Sequence, residues 1–198
     1  MTLYALSLFA VALGIAGWRM RTLSGLAAFA PPAFRLLPLG ILALALQFVA
    51  LRWAGGVERI VIFTLSYVLL LLFFVANFRY RPLRLLFLGF LLNLLPILFN
   101  GGYMPITPEA MASLHPATTA DQWVSGLVRP GSKDIVLAAT EARLGFLGDV
   151  FVVGPPFPLP TAFSLGDILI FFGFAGSIYA FSTPLAIRND RRAILEPY

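Results

Sequence analysis

Two carboxylates open the chemistry this chain could do. Asp149 closes the string Arg143-Leu144-Gly145-Phe146-Leu147-Gly148-Asp149, and Asp167 closes Ser164-Leu165-Gly166-Asp167. Carboxylates brought close can share a proton, one serving as acid and the other as base. Asn100, heading Asn100-Gly101-Gly102-Tyr103-Met104-Pro105, offers a side-chain amide, and the residues after it offer free backbone amides at a helix exit. With Asn93 and Pro96 just before it, that exit could form the floor of a ligand site, Pro96 freeing a carbonyl and inviting a kink. In an enzyme reading Asp149 and Asp167 are acid and base, and Asn100 and Arg143 position the substrate. Each string also has a structural reading, which is preferred here. Gly ends a helix and Pro stops its resumption. Ser164 at an N-cap with Asp167 three residues on is a capping box with Asp in place of Glu or Gln, favoured by the helix dipole. Arg143 would pair with Asp149 or Asp167 and pin its segment to the rest of the chain.

Other chemistries are excluded by composition. There is no Cys, which removes thiol nucleophiles, disulfides and all-Cys metal centres. The one His, His115, removes any site needing two imidazoles from one chain. No Walker loop, dinucleotide fingerprint, His-Glu zinc motif or nucleophile elbow occurs, so no cofactor is expected.

The elements that must position these residues are apolar. Sixty per cent of the 198 residues are hydrophobic and only 12% are charged, against about 45–50% and 25% in soluble domains. Five stretches approach the roughly 17–25 residues that cross a bilayer as helix. They run from about Leu3 to Trp18, Ala33 to Leu51, Ile60 to Phe78, Leu83 to Phe99 and Leu165 to Leu185. The expected fold is therefore an all-α integral membrane protein, a five-helix transmembrane bundle with a helical extracytoplasmic cap between helices 4 and 5. Its organisation reads as four transmembrane helices in 1–99, a cap in 100–162, and the fifth helix with a tail in 163–198, together one structural domain. The first stretch is expected to be a retained span rather than a signal peptide, since no basic residue precedes it and Ala28-Phe29-Ala30 lies far beyond it. Gln47, Ser66 and Asn77 should join helix–helix hydrogen bonds, and Gly173 with Gly176 should allow close helix contact.

Arginines set the orientation. Arg19, Arg21 and Arg35, then Arg79, Arg81 and Arg84, then Arg188, Arg191 and Arg192 share one side if the spans are odd in number. The positive-inside rule then puts the N-terminus outside and the C-terminus in the cytoplasm. These basic residues are split among loops, so the net charge of +5 does not describe a nucleic-acid surface.

The cap carries its own signals. Thr107-Pro108 reads as a helix start. Thr119-Ala120-Asp121-Gln122 reads as a capping box opening a helix through Val128. Lys133 to Leu144 is a third candidate helix. Gly154-Pro155-Pro156-Phe157-Pro158-Leu159-Pro160 should be a stiff extended lead into the fifth span.

The motifs Asn100-Gly101-Gly102-Tyr103-Met104-Pro105, Leu147-Gly148-Asp149 and Ser164-Leu165-Gly166-Asp167-Ile168, in that order, resemble a family of uncharacterised bacterial integral-membrane proteins, a domain of unknown function with Asn-Gly-Gly-x-Met-Pro, Leu-Gly-Asp and Ser-x-Gly-Asp-Ile elements. That resemblance implies the bacterial inner membrane and leaves the activity blank. Leu165-Gly166-Asp167-Ile168-Leu169-Ile170 is also similar to the Gly-x-Gly-Asp motif of intramembrane aspartyl proteases, with Ser164 where the first Gly would stand. The spans carry no ionisable residue near their middle, where a proton relay or ion-coupled carrier would place one. The expected function is a non-catalytic accessory or structural membrane subunit that packs against a membrane protein complex or lipid. The alternatives are an outer-leaflet enzyme using Asp149 and Asp167, and a small-molecule transporter. The expected partners are membrane lipids and other membrane subunits, without nucleic acid. The 14% aromatic content, including 19 Phe, suits contact with helices, a bound lipid or a pigment.

Overall fold

The computed structural model describes residues 32–181, apart from 54, 130, 131, 158 and 159. The expected first span and the basic residues at 19, 21, 188, 191 and 192 lie outside the described residues. Three long helices come first: α1 (Leu37–Arg52), α2 (Gly56–Ala76) and α3 (Arg81–Phe99). After α3 the chain builds β1 (Met104–Ile106), α4 (Pro108–Leu114), β2 (Asp134–Val136), β3 (Phe151–Val153) and β4 (Thr161–Phe163), then closes with α5 (Leu165–Phe181). Each apolar run within the described residues thus folds as the expected helix. Among the described residues α2 and α3 are long and apolar enough to cross a membrane, while α1 and α5 are shorter apolar helices.

Local chemistry sets the helix limits. Pro38 and Pro82 stand in the first turns of α1 and α3, where a missing N–H costs nothing. Asn77 ends α2, its side-chain Nδ2 donating to Phe73 O at 2.8 Å. The same nitrogen donates to Arg35 O, and Asn77 Oδ1 accepts from Arg35 N at 2.9 Å. Asn77 therefore ties the entry to α1 to the end of α2 rather than joining two helices through side chains. Ser66 also departs from the expected role, since its hydroxyl donates to Phe63 O of its own helix. Gln47 Nε2 is buried with no hydrogen-bond partner.

The helices pack in the order α1, α2, α3, α5. Ala43, Leu70, Phe73, Phe74, Leu83 and Leu86 form one buried cluster, and Ala50, Phe63, Tyr67, Leu94, Ile97 and Met104 form the next. Small residues set the α3–α5 seam. A Cβ on Gly89 would meet Gly166 O at 2.7 Å, and one on Gly173 would meet Leu86 Cγ at 2.7 Å. Gly176 is looser, with Pro82 Cβ at 3.4 Å.

The cap is not the helical piece expected, and the fold is mostly helical rather than all-α. Thr107 does start a helix, accepting from Ala110 N at 3.2 Å. The Thr119 capping box forms, but it closes only a 3-10 turn, Ala120–Gln122. Lys133 to Leu144 is not helical. Asp134–Val136 pairs in parallel with Met104–Ile106, with Asp134 opposite Met104. The β-branched Ile135 and Val136 favour a strand, and a partner distant in sequence supplies the ladder that overrides helix propensity. The proline-rich stretch lies in the loop of an antiparallel hairpin, β3–β4, in which Phe151 faces Phe163. A turn bond from Phe157 N to Gly154 O at 3.2 Å bends the described part of it, so it is not a stiff extended lead. Ile106, Ala110, Met111, Leu114 and Val136 give the cap its own buried core.

Candidate functional site

The sequence motifs meet where the ends of α2, α3 and α5 face the cap. The first group joins α3 to α5. Asn93 is buried in α3, and Ser164 is fully buried just before α5. The capping box closes as the spacing requires: Asp167 N donates to Ser164 Oγ at 3.0 Å, and Ser164 N donates to Asp167 Oδ2 at 2.9 Å. Asn93 then bridges the helices. It accepts from Ser164 Oγ at 2.6 Å and donates through Nδ2 to Asp167 Oδ1 at 2.9 Å. Gly166 makes room for this lock, since a Cβ there would stand 2.1 Å from Asn93 Oδ1.

The second group is the exit of α3. Gly101 and Gly102 have φ of 69° and 87°, values that L side chains rarely adopt. Gly102 N donates to Ile97 O at 2.8 Å, closing the helix end. The Asn100 amide is engaged within the chain. It donates to Pro96 O and Arg143 O, both at 2.7 Å, and accepts from Arg143 N at 3.0 Å. It therefore holds the backbone of Arg143 as Asn77 holds that of Arg35. Tyr103 lies under the Arg59 guanidinium, 4.6 Å from carbon to ring centre. Arg59 also donates to Ser132 O. Met104 is fully buried against the helices, with its N–H donating to Lys133 O at 2.7 Å.

The third group is ionic. Lys133 Nζ lies 2.8 and 3.1 Å from the two oxygens of Asp149, and 3.6 Å from Asp134. All three residues are buried. Arg129, more exposed, reaches Asp134 at 3.6 Å. Burial pushes the Asp149 carboxyl up to about 7; Lys133 opposes this, while Asp134 and Asp167 add to it. Burial alone would lower the Lys133 ammonium, but Asp149 and Asp134 outweigh it and raise it above the ordinary lysine value. Asp149 also lines a cleft of about 460 Å³ walled by Ile106, Ala142, Leu144, Phe146 and Val150. From the helices, Tyr67 of α2 and Asp167 of α5 lie within electrostatic reach of this pair.

The sequence candidates thus divide. Asn93, Ser164 and Asp167 form one cluster, and Asn100 to Met104 with the Arg143 backbone form another. Asp149 belongs to a third. Asp149 and Asp167 influence each other electrostatically but share no hydrogen bond, each being held by its own partners. The expected ion pair of Arg143 is absent: Lys133 takes Asp149, and Asn93 and Ser164 take Asp167. Lys133 and Asp134 escaped the motif reading because they carry no recognised spacing. One signal was present, since Lys133 is the single lysine among 14 basic residues. Gly89, too, gives no sign in sequence of its contact with Gly166. Among the described residues no three His, Asp or Glu side chains gather in a way that could hold a metal.

Apolar helices under a small mixed cap, joined by buried amide and ionic contacts, define the class. The chain belongs to a family of unknown function (DUF5317), whose family model matches residues 32–179. No curated protein and no solved structure matched the chain.

Proposed function

We propose that this protein is a multi-pass component of the bacterial cytoplasmic membrane, N-terminus outside, acting as a non-catalytic accessory subunit that packs against a membrane protein complex or lipid. The observation that carries this reading is the outer face of α2. Val57, Val61, Leu65, Val68, Leu72 and Val75 recur at helical spacing and are each more than 40% exposed among the described residues. Ile41, Leu44 and Phe48 of α1 are exposed as well. A continuous apolar face of this size suits lipid tails or partner helices and is disfavoured in water. The polar side chains of the helix ends are meanwhile engaged in joining elements of the same chain.

The enzyme reading draws on one observation. A buried carboxyl bordering a cleft, raised to about 7, is suited to acid–base work near neutral pH.

The test is purification in a gentle detergent, followed by mass spectrometry of the intact assembly. A stoichiometric protein partner is expected. A lone protein carrying one discrete lipid or peptide would overturn the subunit reading, and loss of turnover of that molecule in Asp149→Asn would establish the enzyme. Orientation is tested separately, and the absence of Cys gives a silent background. Ser125→Cys should react with an impermeant maleimide on intact cells, and Arg81→Cys should not.

A further inference from the structure

The end of the helices away from the cap is basic and carries no compensating acid. Arg35 precedes α1, Arg79 follows α2, and Arg81 and Arg84 occupy the first turn of α3; all four are exposed. Among the described residues no carboxylate pairs with any of them. Glu58 in the first turn of α2, Asp167 in that of α5 and the acids of the cap all lie at the opposite end. Arg81 and Arg84 also stand at the wrong pole of their helix. The first turn of α3 has no acidic residue, although a helix N-terminus favours anions and repels cations. Like charges one turn apart add to that cost. An anion seated against both side chains would remove it.

Orientation in a membrane asks only for charge, but two of these side chains are also held in place. Arg84 Nε donates to Phe78 O at 2.8 Å, and Arg79 Nη2 donates to Ala33 O at 3.2 Å. The Arg79 guanidinium lies over the Tyr80 ring, 4.6 Å from carbon to ring centre. Tyr80 is itself braced edge-on by Phe34 and Phe181, with ring centres 5.8 and 5.7 Å away. Each carbonyl takes one N–H of its guanidinium and leaves the other donors for an oxyanion. Toward the middle of the helices the surface turns apolar. Leu85 and Leu88 follow Arg81 and Arg84 at helical spacing and are exposed, as are Leu72 and Val75 near the end of α2.

We propose that this end of the protein binds one anionic phospholipid, with its phosphate on Arg79, Arg81 and Arg84 and its acyl chains along Leu85 and Leu88. A guanidinium pairs two N–H groups with two phosphate oxygens, and the leucines one turn further on match the apolar tails. Basic pockets beside membrane helices recognise anionic headgroups in this way. The site rests on the chain being a membrane protein and gives the lipid its charge and its place.

The test is native mass spectrometry of the full chain in detergent, titrated with phosphatidylglycerol and with phosphatidylcholine of the same acyl chains. The first phosphatidylglycerol should bind about tenfold more tightly or better, since each arginine near the headgroup is worth about fivefold. Arg79→Gln and Arg81→Gln should each cut that preference by about fivefold. Arg81 bonds to nothing else among the described residues, so its variant keeps the fold if Arg79→Gln does not. Arg52→Gln, at the far end of α1, should leave the preference unchanged. Excess inorganic phosphate should not displace the lipid, because it lacks the tails. Equal affinity for the two lipids overturns the proposal and leaves an acidic protein segment as the anion. A preference that survives Arg81→Gln, falls equally in Arg52→Gln, or yields to inorganic phosphate overturns it too. Alkaline carbonate extraction of native membranes tests the membrane reading by itself. A chain that washes off loses both readings, whereas an embedded chain without lipid preference loses only this one.

Discussion

Ser164 Oγ stands 2.6 Å from Asn93 Oδ1, and through this contact the start of α5 is fixed to the C-terminal half of α3. The same amide donates to Asp167 Oδ1 at 2.9 Å, so one side chain serves both ends of the capping box. Buried polar groups satisfied in this way are costly to break singly, because each deletion strands the others. Asn93→Ala should therefore destabilise the protein by about 1–3 kcal/mol. Ser164→Ala should cost a similar amount, and the double variant less than the sum. Unfolding in mixed detergent, read by circular dichroism, checks both. Additive effects would mean that the two residues act separately.

The lock depends on absent atoms as well as present ones. Gly166→Ala would drive a methyl to 2.1 Å from Asn93 Oδ1 and 2.6 Å from Gly89 O, both on α3. Neither neighbour can retreat without parting α3 from α5, so a loss of about 1–3 kcal/mol is expected. Gly176→Ala is the control, since its nearest neighbour is Pro82 at 3.4 Å. Its change should stay within about 0.5 kcal/mol. Equal effects from the two alanines would contradict the seam.

Asn100 and Arg143 give the clearest separation of side chain from backbone. Asn100 binds Arg143 only through N–H and C=O. Arg143→Ala should therefore leave the cap intact, with a change within about 0.5 kcal/mol. Asn100→Ala should release the loop around residue 143, whose backbone N–H and C=O both lose their Asn100 partner. Limited proteolysis is the readout. Cleavage between 138 and 146 should rise sharply in Asn100→Ala and stay at the wild-type level in Arg143→Ala.

These residues also show what sequence could and could not supply. The helices were legible because apolar runs of span length end at Pro, Asn and Gly, signals that act within a few residues. The Ser164–Asp167 and Thr119–Gln122 boxes were legible for the same reason. The β1–β2 pairing was not, because three residues around Ile135 become a strand only when Met104–Ile106 lies alongside. Arg143 was expected to make an ion pair because arginine near two aspartates suggests charge. Its contribution turned out to lie in its backbone, which any residue could supply. Lys133 and Asp149 are 16 positions apart with no motif between them, and only the folded cap shows that they are partners.

That pair makes the stability of the cap depend on pH, and the sign follows from the two shifts. Asp149 rises from an ordinary 3.8 to about 7 on folding. A group raised in the folded state contributes in full below its unfolded value and loses that contribution as pH climbs through the folded one. The Asp149 contribution should thus be complete near pH 4 and gone above about pH 7. Lys133 is raised too, so its contribution is constant across this range and fades only above the ordinary lysine value near 10.5. Cap unfolding measured by pulse proteolysis, normalised to protease activity at each pH, should become easier from pH 5 to pH 8. Asp149→Asn should flatten the curve across that interval, because an amide has no proton to lose there. A cap that grows more stable with rising pH would mean that the Lys133–Asp149 attraction outweighs burial and that Asp149 is ionised throughout.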